Sequence, residues 1–119
     1  PMEPLNCIIE PTKNGVRFYD GCQNPSGVQW ASSYILGLQP QQIEVKTIYA
    51  GGSFGRRNSP AVKDLYQAEA AIAFALLGKK TPVKLVWDRE DDIRGGYYRP
   101  MAFHKTKIGL DAKGENSSM

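Results

Sequence analysis

The side chains of this chain change hydrophobic period several times, and a glycine or proline stands near almost every change, so short strands and helices must alternate along it. Leu5 to Ile9 is apolar and β-capable, and Val16 to Cys22 alternates; Asn14-Gly15 between them predicts a hairpin. Asn24-Pro25 supplies an N-cap and a first-turn proline. Val28, Ala31, Ile35 and Leu38 then share one stripe until Gly37 and Pro40 end the helix. Ile43 to Tyr49 reads as a half-buried strand that stops at Gly51. Ser59-Pro60 opens a second helix, with Asp64 near its positive end and Ala61, Leu65, Ala68, Ile72 and Leu76 as the expected buried stripe. Gly78, Lys79, Lys80 and Pro82 close it. Val83 to Trp87 is a further strand, Asp88 to Arg94 a solvated, salt-bridged turn, and Ala102 to Leu110 a last alternating strand with His104 on its apolar face. The order predicts an α+β fold: a two-layer α/β sandwich, with a mixed sheet of four to five strands and two helices on one face.

At 119 residues the chain is expected to form a single domain spanning 1–119. With 41% hydrophobic and 23% charged residues it is globular in composition, which excludes intrinsic disorder. Its net charge of +3 comes from scattered basic residues, so nucleic acid is not an expected partner. No apolar run approaches the roughly 20 residues that cross a bilayer. Cys7 and Cys22 read as reduced, buried thiols; with a single histidine and no CxxC spacing, no metal site is expected. The start at Pro1 and the stop after a turn-like Asp111-Ala112-Lys113-Gly114 lead us to expect an internal piece of a longer chain.

The segment richest in chemical meaning is Ala50-Gly51-Gly52-Ser53-Phe54-Gly55-Arg56-Arg57, set between a strand and a helix. Glycines allow positive φ and close approach, and successive N–H groups can then converge on a phosphate or an oxo-anion. The same residues also suit a simple tight turn. Neither the Walker pattern nor Gly-x-Gly-x-x-Gly is present.

Gly51-Gly52-Ser53-Phe54-Gly55 resembles the Gly-Gly-Gly-Phe-Gly loop of the molybdenum hydroxylases, the xanthine dehydrogenase and aldehyde oxidase family. Gly21-Cys22-Gln23-Asn24-Pro25, Leu36-Gly37-Leu38 and Trp87-Asp88-Arg89-Glu90-Asp91-Asp92 resemble further family segments, in the same order. Met2-Glu3-Pro4, Gly55-Arg56-Arg57 and Tyr98-Arg99-Pro100 are most similar to the isoquinoline 1-oxidoreductase β-subunit branch.

The resemblance implies a subdomain of the molybdenum-cofactor-binding region of a larger subunit. Its cofactor would be molybdopterin with molybdenum, in the cytosine dinucleotide form, and iron–sulfur clusters would lie on a small 2Fe-2S partner subunit. The complete enzyme would place a water-derived hydroxyl on an N-heterocycle or aldehyde. Gln23, Gly51, Gly52, Ser53, Phe54, Gly55 and Arg56 are the implied cofactor contacts, and Arg99 lies near a substrate-orienting arginine of purine-oxidising relatives. The alternative role for Gln23 is to cap the helix that follows it. The catalytic glutamate belongs to a Gly-Glu-Pro-like motif absent from this chain, so no catalytic residue is expected here and the chain alone should be inactive. Ser53 replaces the loop's middle glycine, and Asn58 stands where xanthine-oxidising members carry a glutamate, which disfavours purines. The compartment is left open between periplasm and cytoplasm. A rival expectation is a non-catalytic anion-binding or interaction module.

Overall fold

A computed structural model describes residues 1–58 and 66–118. Strand β1 (Asn6–Thr12) turns at Asn14-Gly15 into β2 (Gly15–Asp20), with Ile9 opposite Phe18 and Thr12 opposite Gly15, as the turn residues predict. Helix α1 (Pro25–Leu36) carries the chain over the sheet to β3 (Ile43–Thr47), which pairs with β2 in parallel. Helix α2 (Tyr66–Leu76) then crosses to β4 (Val83–Val86) on the opposite edge, antiparallel to β1. The sheet is mixed and open, in the order β3-β2-β1-β4.

Alternation decides which face is covered. Leu5 just before β1, Cys7 and Ile9 from β1, Val16 and Phe18 from β2 and Ile43 from β3 point to one side, where they meet Val28, Leu36, Ala70, Ala71 and Phe74 of the two helices. Both helices therefore lie on one face, completing the expected two layers. The other face carries Glu10, Arg17, Tyr19 and Glu44, linked by ion pairs and hydrogen bonds.

Helix α1 begins where the sequence places it. The Asn24 side chain accepts the Gly27 N–H at 3.1 Å, and Gly37 takes the left-handed conformation that ends the helix, with Leu38 N–H bonded back to the Ser33 carbonyl. Four expectations are corrected, and the Ser59-Pro60 start, with Asp64 and the Ala61 and Leu65 positions, lies outside the described residues. The buried face of α2 is Tyr66, Gln67, Ala70, Ala71 and Phe74 with Ala68, whereas Ile72 is 49% and Leu76 83% exposed. Alanines surround this helix, so its two aromatic rings choose the inward face. Asp88 to Arg94 is a helix rather than a turn: in α3 (Arg89–Arg94) the Asp88 and Asp91 carboxylates take each other's backbone N–H groups.

The last strand shrinks to β5 (Gly109–Leu110), which pairs only with β6 (Asn116–Ser118) in a hairpin separate from the main sheet. Ala102 to Ile108 alternates in polarity, but no strand among the described residues pairs with it, and a strand without a ladder partner is not formed. His104 is accordingly exposed, not on a core face.

Candidate functional site

Strands β2 and β3 are parallel, so their C-terminal ends open on the same edge of the sheet, the edge where ligands gather in α/β folds. Gln23 follows β2 there, and the Gly51–Gly55 loop follows β3. Pairing runs past the strand ends, with Ile48 N–H donating to the Asp20 carbonyl at 3.0 Å. Gly21 allows the approach: a Cβ built on it would lie 2.5 Å from the Ala50 Cβ.

The two segments bond directly. Gly55 N–H donates to Gln23 Oε1 at 3.1 Å, and Gln23 N–H donates to the Arg57 carbonyl at 3.0 Å. Gln23 therefore braces the loop, while the capping bond of α1 is made by Asn24. Gln23 Nε2 donates no hydrogen bond among the described residues, and the side chain is exposed.

Within the loop, Gly51 N–H is bonded to the Glu3 carboxylate, and Arg56 N–H turns back to the Ser53 carbonyl at 2.9 Å. The Gly52, Ser53 and Phe54 amides have no partner among the described residues. Phe54 sits at φ 50°, a left-handed conformation costing a bulky residue about 1–2 kcal/mol, and its ring is 69% exposed. Gly55, at φ 89°, lies under Arg99: a Cβ there would be 3.4 Å from the Arg99 Cγ. The Arg99 guanidinium makes no ion pair or hydrogen bond among the described residues.

Gln23, Gly51, Gly52, Ser53, Phe54, Gly55 and Arg99 thus come together. The Arg56 side chain does not join them. It is 7% exposed and reaches the end of α3, with Nη2 donating to the Asp92 carbonyl at 2.6 Å and carboxylate at 3.1 Å, and its guanidinium carbon lies 4.3 Å from the centre of the Tyr98 ring. Beyond its backbone N–H, Arg56 is a clasp between the loop and α3.

Sequence reasoning missed the layer beneath the loop. Arg57 is 1% exposed and faces Gly52 O at 3.3 Å, Tyr66 Oη at 3.3 Å, Glu3 Oε1 at 3.5 Å and Asp20 Oδ1 at 3.9 Å. Tyr66 Oη and Gln67 Nε2 donate to the Asp20 carboxylate at 2.6 and 2.5 Å. Burial pushes the Asp20 carboxyl up, against those hydrogen bonds and the Arg57 charge. Glu3 shifts the other way, lowered first by the Asn6 amide, then by the Gly51 N–H and the Arg57 charge. One signal was available: Val16, Phe18 and Asp20 share the inward face of β2, and an acid there demands a buried partner.

The uncommitted donors at this edge, three backbone amides and a primary amide, are all neutral, with one guanidinium beside them. Such a set holds oxygen acceptors without transferring a proton to them, which fits the phosphate and oxo groups of a molybdopterin cofactor.

The profile of the molybdopterin cofactor-binding domain family matches residues 1–119. The chain is 34% identical over 100 residues to isoquinoline 1-oxidoreductase subunit beta of Brevundimonas diminuta, covering 83% of this chain and 12% of that protein. It is 29% identical over 116 residues to xanthine dehydrogenase of Oryza sativa subsp. japonica, covering 96% of this chain and 8% of the relative. Among solved structures, CO dehydrogenase from Oligotropha carboxidovorans superposes with a TM-score of 0.61 at 27% identity over 78% of this chain and 11% of that one. Quinoline 2-oxidoreductase from Pseudomonas putida 86 shares the fold, with a TM-score of 0.61 at 23% identity over 77% of this chain and 11% of that chain. The chain therefore spans a small part of the proteins it matches, and it belongs to the molybdopterin cofactor-binding domain family of the molybdenum hydroxylases.

Proposed function

We propose that Gln23 and the Gly51–Gly55 loop hold the molybdopterin cofactor within a larger subunit whose enzyme hydroxylates an N-heterocycle or an aldehyde with oxygen from water. The observation that carries this reading is the Gly55 N–H to Gln23 Oε1 bond of 3.1 Å. It orients the glutamine so that its NH2 remains available at the same edge as the Gly52, Ser53 and Phe54 amides. Those four donors would receive the oxygen acceptors of the cofactor, and no side chain among them can protonate what it holds. When bound, molybdopterin supplies two-electron redox chemistry, which amino-acid side chains do not provide.

Phe54, held outward by its backbone, would cover the ligand and keep water from its contacts. Arg99, packed over Gly55, would orient an anionic or carbonyl group of the substrate. The isoquinoline relative supports an N-heterocyclic substrate, and the uncharged Asn58 at the end of the loop is consistent with it. The cytosine dinucleotide form of the cofactor, the remainder of the large subunit and a small 2Fe-2S subunit complete the proposed assembly. The general base is assigned to the remainder of the subunit.

Gln23→Ala in the full-length enzyme tests the reading. Turnover should fall roughly 100-fold, the loss seen when one donor to a reacting oxygen is removed. The melting temperature should change little, because Asn24 and not Gln23 caps α1. Loss of stability in proportion to loss of activity would assign Gln23 a structural role. Unchanged turnover would favour a plain anion-binding module.

A further inference from the structure

We propose that Arg57, working with Glu3, is the positioning residue of the glycine loop: it draws the Gly52 carbonyl inward and thereby aims the Ser53 amide outward at the ligand. The identity of that ligand rests on the function proposed above; the orientation of the peptide does not.

A peptide unit is planar and trans, so the carbonyl of one residue and the N–H of the next point in opposite directions. Arg57 Nε donates to Gly52 O at 3.3 Å from a guanidinium that is 1% exposed, which fixes that carbonyl toward the protein interior. The Ser53 N–H, on the same peptide, must then face away from the interior. Glu3 fixes the loop two peptide units earlier: its carboxylate takes the Gly51 N–H and lies 3.5 Å from Arg57 Nη2. Arg57 also reaches the other half of the site through its own carbonyl, which accepts the Gln23 N–H at 3.0 Å. One buried residue thus holds the loop and the glutamine in a common frame.

Arginine suits the task because several acceptors surround it in different directions. Nε meets Gly52 O, Nη1 meets Tyr66 Oη at 3.3 Å, and Nη2 meets Pro4 O and Glu3 Oε1, both at 3.5 Å. Tyr66 Oη can accept because its own proton goes to Asp20 at 2.6 Å. A planar fork of five N–H groups serves this arrangement, and a single ammonium does not. With its charge buried against these partners, Arg57 does not itself contact the ligand.

The test uses the full-length enzyme, with hydrogen exchange resolved on peptides covering residues 50–58 and molybdenum content measured in parallel. Arg57→Met should raise exchange of the loop amides about tenfold and lower bound molybdenum roughly tenfold. Arg56→Met is the control, because its guanidinium is as charged and nearly as buried but holds α3. It should cost stability while changing loop exchange and molybdenum several-fold less than Arg57→Met does, because Arg56 does not hold the Gly52 carbonyl. Equal effects of the two substitutions, or parent-like values in Arg57→Met, would overturn the proposal. Should Arg57→Met fail to fold, Glu3→Ala at the half-exposed end of the pair decides: faster Gly51 exchange with a preserved fold supports the proposal, and unchanged exchange overturns it. An enzyme that folds and carries no molybdenum would instead sink the cofactor reading, while the exchange arm still decides the role of Arg57.

Discussion

Two clusters of charge, made from similar residues, stand on β2 and face opposite ways. On the open face, Arg17 pairs with Glu44 at 2.8 Å and Glu10 at 3.3 Å, and Tyr19 joins Glu10 at 3.0 Å. On the covered side, Arg57 lies among Asp20, Glu3 and Tyr66. The arginine's ion pairs are shorter in the first cluster, yet its side chain is 35% exposed against 1% in the second. Water and salt screen the open cluster and can replace any partner it loses. Nothing replaces a partner lost inside, so the buried cluster holds a fixed geometry, and the glycine loop stands on that one.

The largest contrast expected is in thiol chemistry, which reports how dry the covered side is. Burial, followed by the nearby Asp20 charge, pushes the Cys22 thiol up to about 12, and burial raises Cys7 as well. At pH 8 the Cys22 thiolate is then roughly 1,000-fold scarcer than that of an ordinary thiol, so iodoacetamide should label neither cysteine until the protein unfolds. Rapid labelling of the folded protein would show that water reaches the Asp20 cluster.

Next in size is the effect of breaking each cluster. Arg57→Met leaves Asp20 buried without its cation and should cost about 3–5 kcal/mol in chemical unfolding. Arg17→Met should leave the unfolding midpoint unmoved within error. Similar losses from the two would remove the distinction between the clusters.

The smallest effect is in pH dependence. The Glu3 carboxyl is lowered in the folded state, so the stability it contributes is present above its ordinary value of 4.5 and is lost as pH falls through the folded value. Asp20 is raised, so its contribution runs the other way, fullest below 3.8 and lost as pH rises through its folded value. Glu3→Gln should flatten the acid limb of the stability profile while sparing the Asp20 trend. An unchanged acid limb would mean that Glu3 is not bonded to the loop in solution.

Local rules made part of this architecture legible. Asn14-Gly15, the Asn24-Pro25 start and the Gly37 stop each act within a few residues, and the strand alternation directly assigns the buried face of β1 and β2. The face of α2 was hidden because its alanines leave little contrast among the apolar positions, and packing against the sheet selects Tyr66 and Phe74. The run Ala102 to Ile108 shows the reverse failure, a strand pattern with no strand to pair with. At the site, the meeting of Gln23 with the glycine loop is implied by the family resemblance, while the pairing of β2 with β3 that produces it is set by long-range contacts. The divergence of Arg56 and Arg57 could not be read from the sequence, because their directions are set by Asp92 and Glu3, far away along the chain, together with Tyr66.

The central claim is that three loop amides and the Gln23 amide receive the cofactor, and amide exchange in the full-length enzyme, with and without bound molybdopterin, tests it most directly. The account predicts that cofactor protects Gly52, Ser53 and Phe54, while Gly51 and Gly55, already bonded to Glu3 and Gln23, change little. Equal exchange at those three amides in the two forms, with protection appearing elsewhere in the chain, would contradict it.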